Sequence, residues 1–163
     1  MLLAIDPGPT VSAWIVVSDD SEPSHFGKDD NASLREIVLG LAPPRGFDRV
    51  AIENVTSYGQ TVGREVFDTC RWIGRFEEAA EATGRRVELV PRRAVRRHHC
   101  DPSSQGSDRE VIWALCDRFA PGQPNFGKGT VKAPGFFHGF KKDVWQAYAL
   151  AVYVNDKKMV SLL

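Results

Sequence analysis

The chain has 163 residues, of which 42% are hydrophobic and 26% charged, a composition that excludes disordered, collagen-like and low-complexity proteins. Its length predicts a single domain spanning residues 1–163. Basic and acidic residues both total 21, and the resulting net charge of zero counts against nucleic-acid binding through bulk charge alone. With no apolar run long enough for a bilayer and no signal-peptide pattern before Asp6, we expect a cytoplasmic protein without a membrane partner.

The first third of the chain alternates short apolar runs with turn signals. Asp6, Pro7 and Gly8 end the first run, and a polar loop ends the second. The apolar residues before Pro43 and Pro44 recur instead at helical spacing. These patterns predict strands at residues 2–5, 12–17 and 24–28, a helix at 31–41 and a strand at 49–52.

The rest of the chain predicts longer helices and one more strand. Gly84 is a helix stop, and Ser107 and Glu110 have the spacing of a capping box. The last apolar run is apolar almost all round, which is typical of a helix packed deep against a sheet. We predict a helix at about 63–83, a strand at 87–90, helices at about 107–119 and 142–156, and a mobile glycine- and proline-rich loop at 121–141. This order of elements predicts an α/β fold, a mixed five-stranded sheet flanked by helices on both faces.

Two of the predicted strands are each followed directly by a carboxylate, Asp6 after the first and Glu53 after the fourth. If these strands are parallel neighbours, both acids lie at the sheet edge where open α/β folds bind ligands. Two carboxylates so close repel each other unless a cation lies between them, and Mg²⁺ or Mn²⁺ favours such oxygen ligands. Taken singly, Asp6 is better explained as a turn former, and Glu53 is also explained as a cap or as the partner of an arginine.

A third acid, Asp143, opens the last predicted helix, with Gln146 one turn further on the same face. A helix packed on the sheet can bring both residues to the same edge as the other acids. Alone, Asp143 is also explained as a favourable charge at a helix N-terminus. The three acids together favour a divalent-metal site over three separate structural roles.

The motifs around these acids resemble the RuvC Holliday-junction resolvases of the RNase H-like superfamily, in particular their phage-encoded relatives. The similar stretches are residues 6–8, 51–59, 72–76 and 139–147, and the resemblance covers nearly the whole chain. It implies an RNase H-like fold and a metal-dependent endonuclease that cuts branched DNA such as a four-way junction. It also implies two Mg²⁺ ions, with Mn²⁺ as substitute, a 5′-phosphate product and a symmetric homodimer.

The resemblance also assigns roles to single residues, and by it the metal-binding catalytic acids are Asp6, Glu53 and Asp143. The family usually carries a further Asp, or an Asp and His pair, in the last motif, where this chain has Gln146 as the candidate fourth ligand. The family places an aromatic residue three positions after its glutamate, and this chain has Thr56 there. Tyr58, two positions further, is the candidate for stacking on DNA bases, the alternative being that this role is absent.

Two basic segments interrupt the neutral chain. Residues 85–99 contain six arginines and one glutamate, and residues 121–142 contain four lysines and no acid. Such clusters suit contacts with a DNA backbone, and the alternative is a solvated surface with no ligand. We expect the arginines to be exposed. The candidate DNA-binding residues, besides Tyr58, are Arg92, Arg93, Arg96, Arg97, Lys128, Lys132, Lys141 and Lys142.

Several smaller features leave the main expectation unchanged. The odd number of cysteines, Cys70, Cys100 and Cys116, predicts free thiols. His98, His99 and Cys100 lack a second pair at ligand spacing, which disfavours zinc. Two other functions stay open, an inactive protein that binds DNA structures and an RNase H-like nuclease of RNA or hybrids. The predicted helix at 63–83 is a candidate dimer interface, although its apolar positions suit a core equally well.

Overall fold

The computed structural model describes residues 1–56, 59, 61–104 and 106–160. Within these residues the predicted α/β architecture, a five-stranded sheet with helices on both faces, is confirmed. The elements in chain order are β1 (Leu2–Asp6), β2 (Val11–Val17), β3 (Pro23–Asp30), α1 (Asn31–Val38), β4 (Arg49–Asn54), α2 (Arg64–Ala82), β5 (Arg86–Pro91), α3 (Arg92–His99), α4 (Asp108–Phe119) and α5 (Lys142–Val160).

The sheet is mixed, with strand order β3-β2-β1-β4-β5. Strand β2 runs antiparallel to β1 and β3, whereas β1, β4 and β5 are parallel to one another. The central strands β1 and β4 are apolar on both faces, as expected of strands covered on both sides. Ile5 pairs with Ile52 in the β1–β4 register. The next residues, Asp6 and Glu53, therefore lie side by side at the carboxyl ends of the two strands.

Alternation along β1 divides the core into two layers. Leu2 and Ala4 face helices α3, α4 and α5, whereas Leu3 and Ile5 face α1 and α2. Helix α5 is buried through most of its length because it packs across β1 and β2, which explains its nearly continuous apolar sequence. This packing brings the N-terminus of α5 to the carboxyl end of β1.

Some predicted boundaries were wrong. Strand β3 runs to Asp30 rather than residue 28, because Asp30 also accepts a hydrogen bond from the Ser33 amide and caps α1. Helix α1 ends at Val38 rather than 41, since Gly40 turns the chain with a φ of +74°. Helix α5 runs on to Val160. The capping box of Ser107 and Glu110 is confirmed at the start of α4.

The segment 121–141 is irregular, as predicted, apart from an isolated bridge between Gly129 and Pro134. Phe137 and Phe140 are buried beside Trp145 of α5, and they anchor the second half of the segment 121–141 to the core. The mobility of this loop stays a prediction. The three cysteines are free thiols. Of the helices in the described residues, none combines the length and hydrophobicity needed to cross a bilayer.

Candidate active site

Asp6 and Glu53 occupy the carboxyl ends of two adjacent parallel strands at the centre of the sheet. Each follows a strand whose preceding residues are fully buried, and Glu53 itself is only 8% exposed. The turn after Asp6 is tightly held. Gly8 approaches the Val11 carbonyl so closely that a Cβ there would lie 2.3 Å from its oxygen. The Asp-Pro-Gly sequence therefore sets the position of Asp6 as well as ending the strand.

A small network of hydrogen bonds between polar groups holds this turn in place. The Gly8 amide donates to Ser12 Oγ over 3.1 Å, and the Ser12 hydroxyl donates to Asn31 Oδ1 over 2.6 Å. Asn31 Nδ2 in turn donates to the Gly8 carbonyl over 2.9 Å. Ser12 and Asn31 are both buried, so the three hydrogen bonds that hold the turn are largely shielded from water.

Asp143 reaches the same edge from the first turn of α5. Its carboxylate forms an ion pair with Lys28 Nζ. The register explains this partner, because Asp6 pairs with Ala13 on β2 and Ala13 pairs with Lys28 on β3. Lys28 thus lies level with Asp6, two strands away, where α5 crosses the sheet. One turn after Asp143, Gln146 is buried and lines a pocket together with Asp108.

Arg92 joins Glu53 to a fourth acid. The parallel β4–β5 register pairs Asn54 with Pro91, so Arg92, the first residue of α3, emerges beside Glu53. Arg92 Nη1 donates to Glu53 Oε1 over 2.9 Å, and Arg92 Nη2 donates to both oxygens of Asp108 over 3.1 Å. Arg96 Nη2 also donates to Asp108 Oδ1, over 2.7 Å. Helices α3 and α4 are therefore linked to the site through two arginines.

Burial and the negative charge of neighbouring acids shift the pKa values of these carboxyl groups. Burial, followed by the charge of Glu53, raises the pKa of Asp6 to about 7, and Asp143 and Asp108 add to this effect. Burial also raises the pKa of Glu53, although Arg92 offsets part of that rise. In Asp108 the hydrogen bonds from Arg96 and Arg92 prevail over burial and lower its pKa. For Asp6, the attraction of Arg92 offsets only part of the rise in pKa.

The donor chemistry of the site fits a hard divalent ion. Asp6, Glu53 and Asp143 supply carboxylates and Gln146 an amide oxygen, the ligand types that Mg²⁺ and Mn²⁺ prefer. The raised pKa of Asp6 marks a position where added positive charge would stabilise the ionised acid. In the described residues, no three His, Cys, Asp or Glu side chains lie close enough to hold a metal ion together. Glu53 and Asp143 are paired with Arg92 and Lys28 instead.

The predicted arginines divide into two pairs, and the expectation that all four are exposed was wrong. Arg92 and Arg96 are half-buried because they are held by acids, whereas Arg93 and Arg97 are exposed. All four line a groove of about 790 Å³ that the loop after α3 closes. The exposed side of this groove is the part suited to phosphate contacts.

The lysines are also spread over more than one place. Lys128 and Lys142 line the pocket that contains Gln146, whereas Lys132 and Lys141 are exposed elsewhere on the surface. Tyr58 lies outside the described residues. His138, a loop histidine, makes a 3.2 Å contact from Nδ1 to the Lys128 carbonyl.

Sequence reasoning missed three groups that the structure brings to the site. Lys28 lies on an edge strand that the sequence marks only faintly, and its partner is 115 residues away. Asp108 follows the capping serine and looks like an ordinary first-turn acid of α4. The buried pair of Ser12 and Asn31 has no local pattern, although a polar residue inside an apolar strand is a usable signal.

Comparison with solved structures identifies the fold. Thermus thermophilus RuvC in complex with a Holliday junction substrate matches with a TM-score of 0.65 and 18% identity, over 97% of this chain and 94% of that chain. A further Thermus thermophilus RuvC structure matches with a TM-score of 0.62 and 17% identity, over 98% and 96% of the two chains. No family model and no curated protein sequence matches. The chain therefore has a RuvC-like, RNase H-like fold, as the sequence motifs predicted.

Proposed function

We propose that this protein is a metal-dependent endonuclease that hydrolyses phosphodiester bonds in branched DNA, with the four-way junction as its substrate. The observation that supports this proposal is the RuvC-like fold, in which Asp6 and Glu53 end adjacent parallel strands and Asp143 lies in the first turn of the helix packed across the sheet. Acids so placed match the chemistry of divalent-metal phosphodiester hydrolysis. The solved RuvC complex with a Holliday junction supports branched DNA as the substrate class.

In this proposal Asp6, Glu53, Asp143 and Gln146 hold Mg²⁺, with Mn²⁺ as a substitute. The bound ions would lower the pKa of the attacking water and stabilise the leaving 3′ oxygen. Asp6 and Glu53 stand on rigid central strands, which keeps their carboxylates in register. Asp143 comes from the first turn of a buried helix and would exchange its ion pair with Lys28 for the metal.

Cations of the chain itself complete the proposed site. Lys28 and Arg92 lie within hydrogen-bond reach of two of the acids, at the place where a scissile phosphate would enter. Both can shift from carboxylate to phosphate, since each charge-assisted hydrogen bond would be exchanged for another of similar strength. The exposed Arg93 and Arg97 then contact the DNA backbone further out. A twofold dimer would place two such sites on the two equivalent strands of a junction.

A nuclease assay with defined substrates tests the proposal. Labelled four-way junction, linear duplex and RNA–DNA hybrid are incubated with the protein and Mg²⁺, and the products are resolved by denaturing electrophoresis. We expect cleavage of the junction in preference to the other two. Asp6→Asn should abolish cleavage while junction binding in Ca²⁺ is kept, because one metal-ligand charge is lost and the basic groups are intact.

Two other results would redirect the assignment. Preferential cleavage of the hybrid would indicate an RNase H-like enzyme that processes RNA. Junction binding without cleavage in Mg²⁺ or Mn²⁺ would indicate a DNA-structure-binding protein. That outcome has a specific rationale, because Gln146 replaces an acid of the family motif and Arg92 already neutralises Glu53.

A further inference from the structure

A second cavity lies beside Asp108 and Gln146 and is lined mainly by aromatic and basic residues. It has a volume of about 390 Å³ and lies between helix α4, the loop at 121–141 and the first turn of α5. We call it the Trp113 pocket, and its main lining residues are Arg109, Trp113, Phe126, Lys128, Lys142 and Gln146. Its size is within the range of about 300–1,000 Å³ that is usual for small-ligand sites.

Two large aromatic side chains are exposed in this pocket. Trp113 is 44% exposed and Phe126 is 53% exposed, so both rings are accessible from solvent. The Arg109 guanidinium lies 4.5 Å from the Trp113 ring centroid and covers one face of the ring. Arg109 therefore helps to fix the orientation of the Trp113 ring, while part of the ring remains accessible to a ligand.

The backbone holds Phe126 in an unfavourable conformation. Its φ of +55° lies in the left-handed region, which a bulky aromatic residue rarely adopts. The turn is held from both sides, because the Cys116 thiol donates to the Phe126 carbonyl over 3.3 Å and the Phe137 amide donates to the Gly127 carbonyl over 2.8 Å. Gly127 has no room for a Cβ, which would lie 2.5 Å from that of Ala120. The ring is thus kept at the surface by a strained, well-anchored turn.

The charge around the rings is positive. Within the described part of the chain, neither Arg109 nor Lys128 nor Lys142 forms an ion pair. The nearby carboxylate of Asp108 is already neutralised by Arg92 and Arg96. Exposed aromatic rings beside uncompensated cations are complementary to a nucleotide, whose base stacks and whose phosphates carry charge.

We propose that the Trp113 pocket binds an unpaired nucleobase of the DNA strand that enters the active site. This inference rests on the proposed function and names the feature of branched DNA that the site reads. Lys142 and Gln146 flank Asp143 on α5, so a base in the pocket belongs to a nucleotide near the scissile phosphate. A base stacked inside a duplex cannot offer its face to the rings, whereas a base freed at a branch point can.

Binding experiments in Ca²⁺ separate base stacking from phosphate attraction. The probes are a short oligothymidylate, a strand of equal length with abasic sites, and a duplex, with affinity measured by fluorescence anisotropy. Trp113→Leu removes the indole, and Phe126→Asn removes the ring while retaining a residue that tolerates the left-handed turn. Trp113→Phe is the conservative variant. Val131→Ala, at an exposed residue of the same loop, is the matched control.

We expect Trp113→Leu and Phe126→Asn each to weaken oligothymidylate binding about tenfold or more, as loss of one stacked base does elsewhere. Trp113→Phe and Val131→Ala should bind nearly as the native protein does. The abasic strand should bind weakly and be insensitive to Trp113→Leu. Native-like oligothymidylate binding by folded Trp113→Leu, or equal weakening for all three probes, would overturn the proposal.

Junction cleavage by the same preparations keeps the two proposals apart. Base binding that depends on Trp113 in a protein that cuts no junction would support the pocket and contradict the endonuclease. Normal junction cleavage, with native-like oligothymidylate binding in Trp113→Leu and Phe126→Asn, would contradict the pocket and support the endonuclease.

Discussion

Two of the three acids at the candidate active site already have a cationic partner within the chain. Arg92 pairs with Glu53 and Lys28 pairs with Asp143, whereas Asp6 forms no ion pair within the described residues, and burial and the charge of Glu53 outweigh the attraction of Arg92. A divalent ion would therefore meet one unsatisfied carboxylate and compete with arginine and lysine for the other two. Arg92 and Lys28 thus supply positive charge that offsets part of the repulsion among the acids in the absence of metal.

The competition between Arg92 and metal leads to a testable expectation. Arg92→Gln removes a charge-assisted hydrogen bond to Glu53, a bond worth about 1.5–3 kcal/mol. The variant should bind Mn²⁺ about tenfold more tightly in calorimetric titrations at mildly alkaline pH, where the acids are ionised. Its melting temperature without metal should fall, because Glu53 is left buried and unpaired.

Arg93→Gln is the matched control, since Arg93 lines the same groove but is exposed. It should leave both Mn²⁺ affinity and melting temperature nearly unchanged. Unchanged or weaker Mn²⁺ binding by a folded Arg92→Gln protein would show that arginine and metal do not compete.

The raised pKa of Asp6 predicts a stability cost that grows with pH. Asp6 has a pKa of about 7 in the folded protein, whereas the ordinary pKa of an aspartate side chain is 3.8. Between these values the folded state binds more protons than the unfolded state, so the contribution of Asp6 to stability falls as pH rises. Asp6→Asn cannot ionise and should become more stable than the native protein across this window, by at most about 4 kcal/mol.

Thermal unfolding of both proteins without divalent ions, at several pH values, measures this difference. It should be absent near pH 3.8, increase towards pH 7 and level off above it. Addition of Mg²⁺ should reduce it, because the ion stabilises ionised Asp6. A difference that is independent of pH would mean that Asp6 is not held protonated in the folded protein.

At the scale of elements, helix α3 separates two kinds of arginine. All four line the groove, but Arg92 and Arg96 donate to Asp108, whereas Arg93 and Arg97 are exposed. The double variant Arg93→Gln, Arg97→Gln should weaken DNA binding across sequences and lower the slope of log K against log salt by up to about 2. Folding should be unaffected, since both side chains are exposed.

Salt titrations of junction binding, with Arg45→Gln as the exposed control, test this expectation. An unchanged slope in the double variant would mean that other cations, such as Lys132 and Lys141, contact the phosphates. Replacement of Arg92 and Arg96 is not an equivalent test, because it would disturb Glu53 and Asp108 as well.

The elements differ in how far the sequence predicted them. Asp6 and Glu53 could be placed because apolar periodicity predicts the strands, and parallel strands carry the residues that follow them to one edge. The pairing of Arg92 with Glu53 could not, since it depends on the β4–β5 register. The meeting of Trp113 and Phe126 depends on how an irregular loop packs across α4, for which there is no periodic signal.

At the scale of the whole molecule, helix α2 is the candidate surface for the predicted homodimer. Its inner face packs Ile73 and Phe76 against the sheet, while Phe67 remains 57% exposed on the outside. We expect Phe67→Glu to shift the protein from dimer to monomer in sedimentation velocity, because it introduces a charge into a surface that must exclude water.

Leu41→Glu, a similar change at another exposed apolar residue, should leave the dimer intact. The Phe67→Glu monomer should still bind a junction but should cut its two strands independently, since paired incision needs two linked sites. A native protein that is monomeric both free and on the junction would contradict this expectation.

The strand order places the candidate catalytic acids and the Trp113 pocket in regions that differ in their tolerance to mutation. Asp6 and Glu53 belong to central strands whose side chains fill both core layers, so substitutions there are costly. Phe126 and Lys128 belong instead to an irregular surface loop, in which exposed positions away from the anchored turn at Phe126 and Gly127 accept changes in sequence more readily. Related proteins could therefore diverge in the proposed base pocket while retaining the acids of the proposed hydrolytic site.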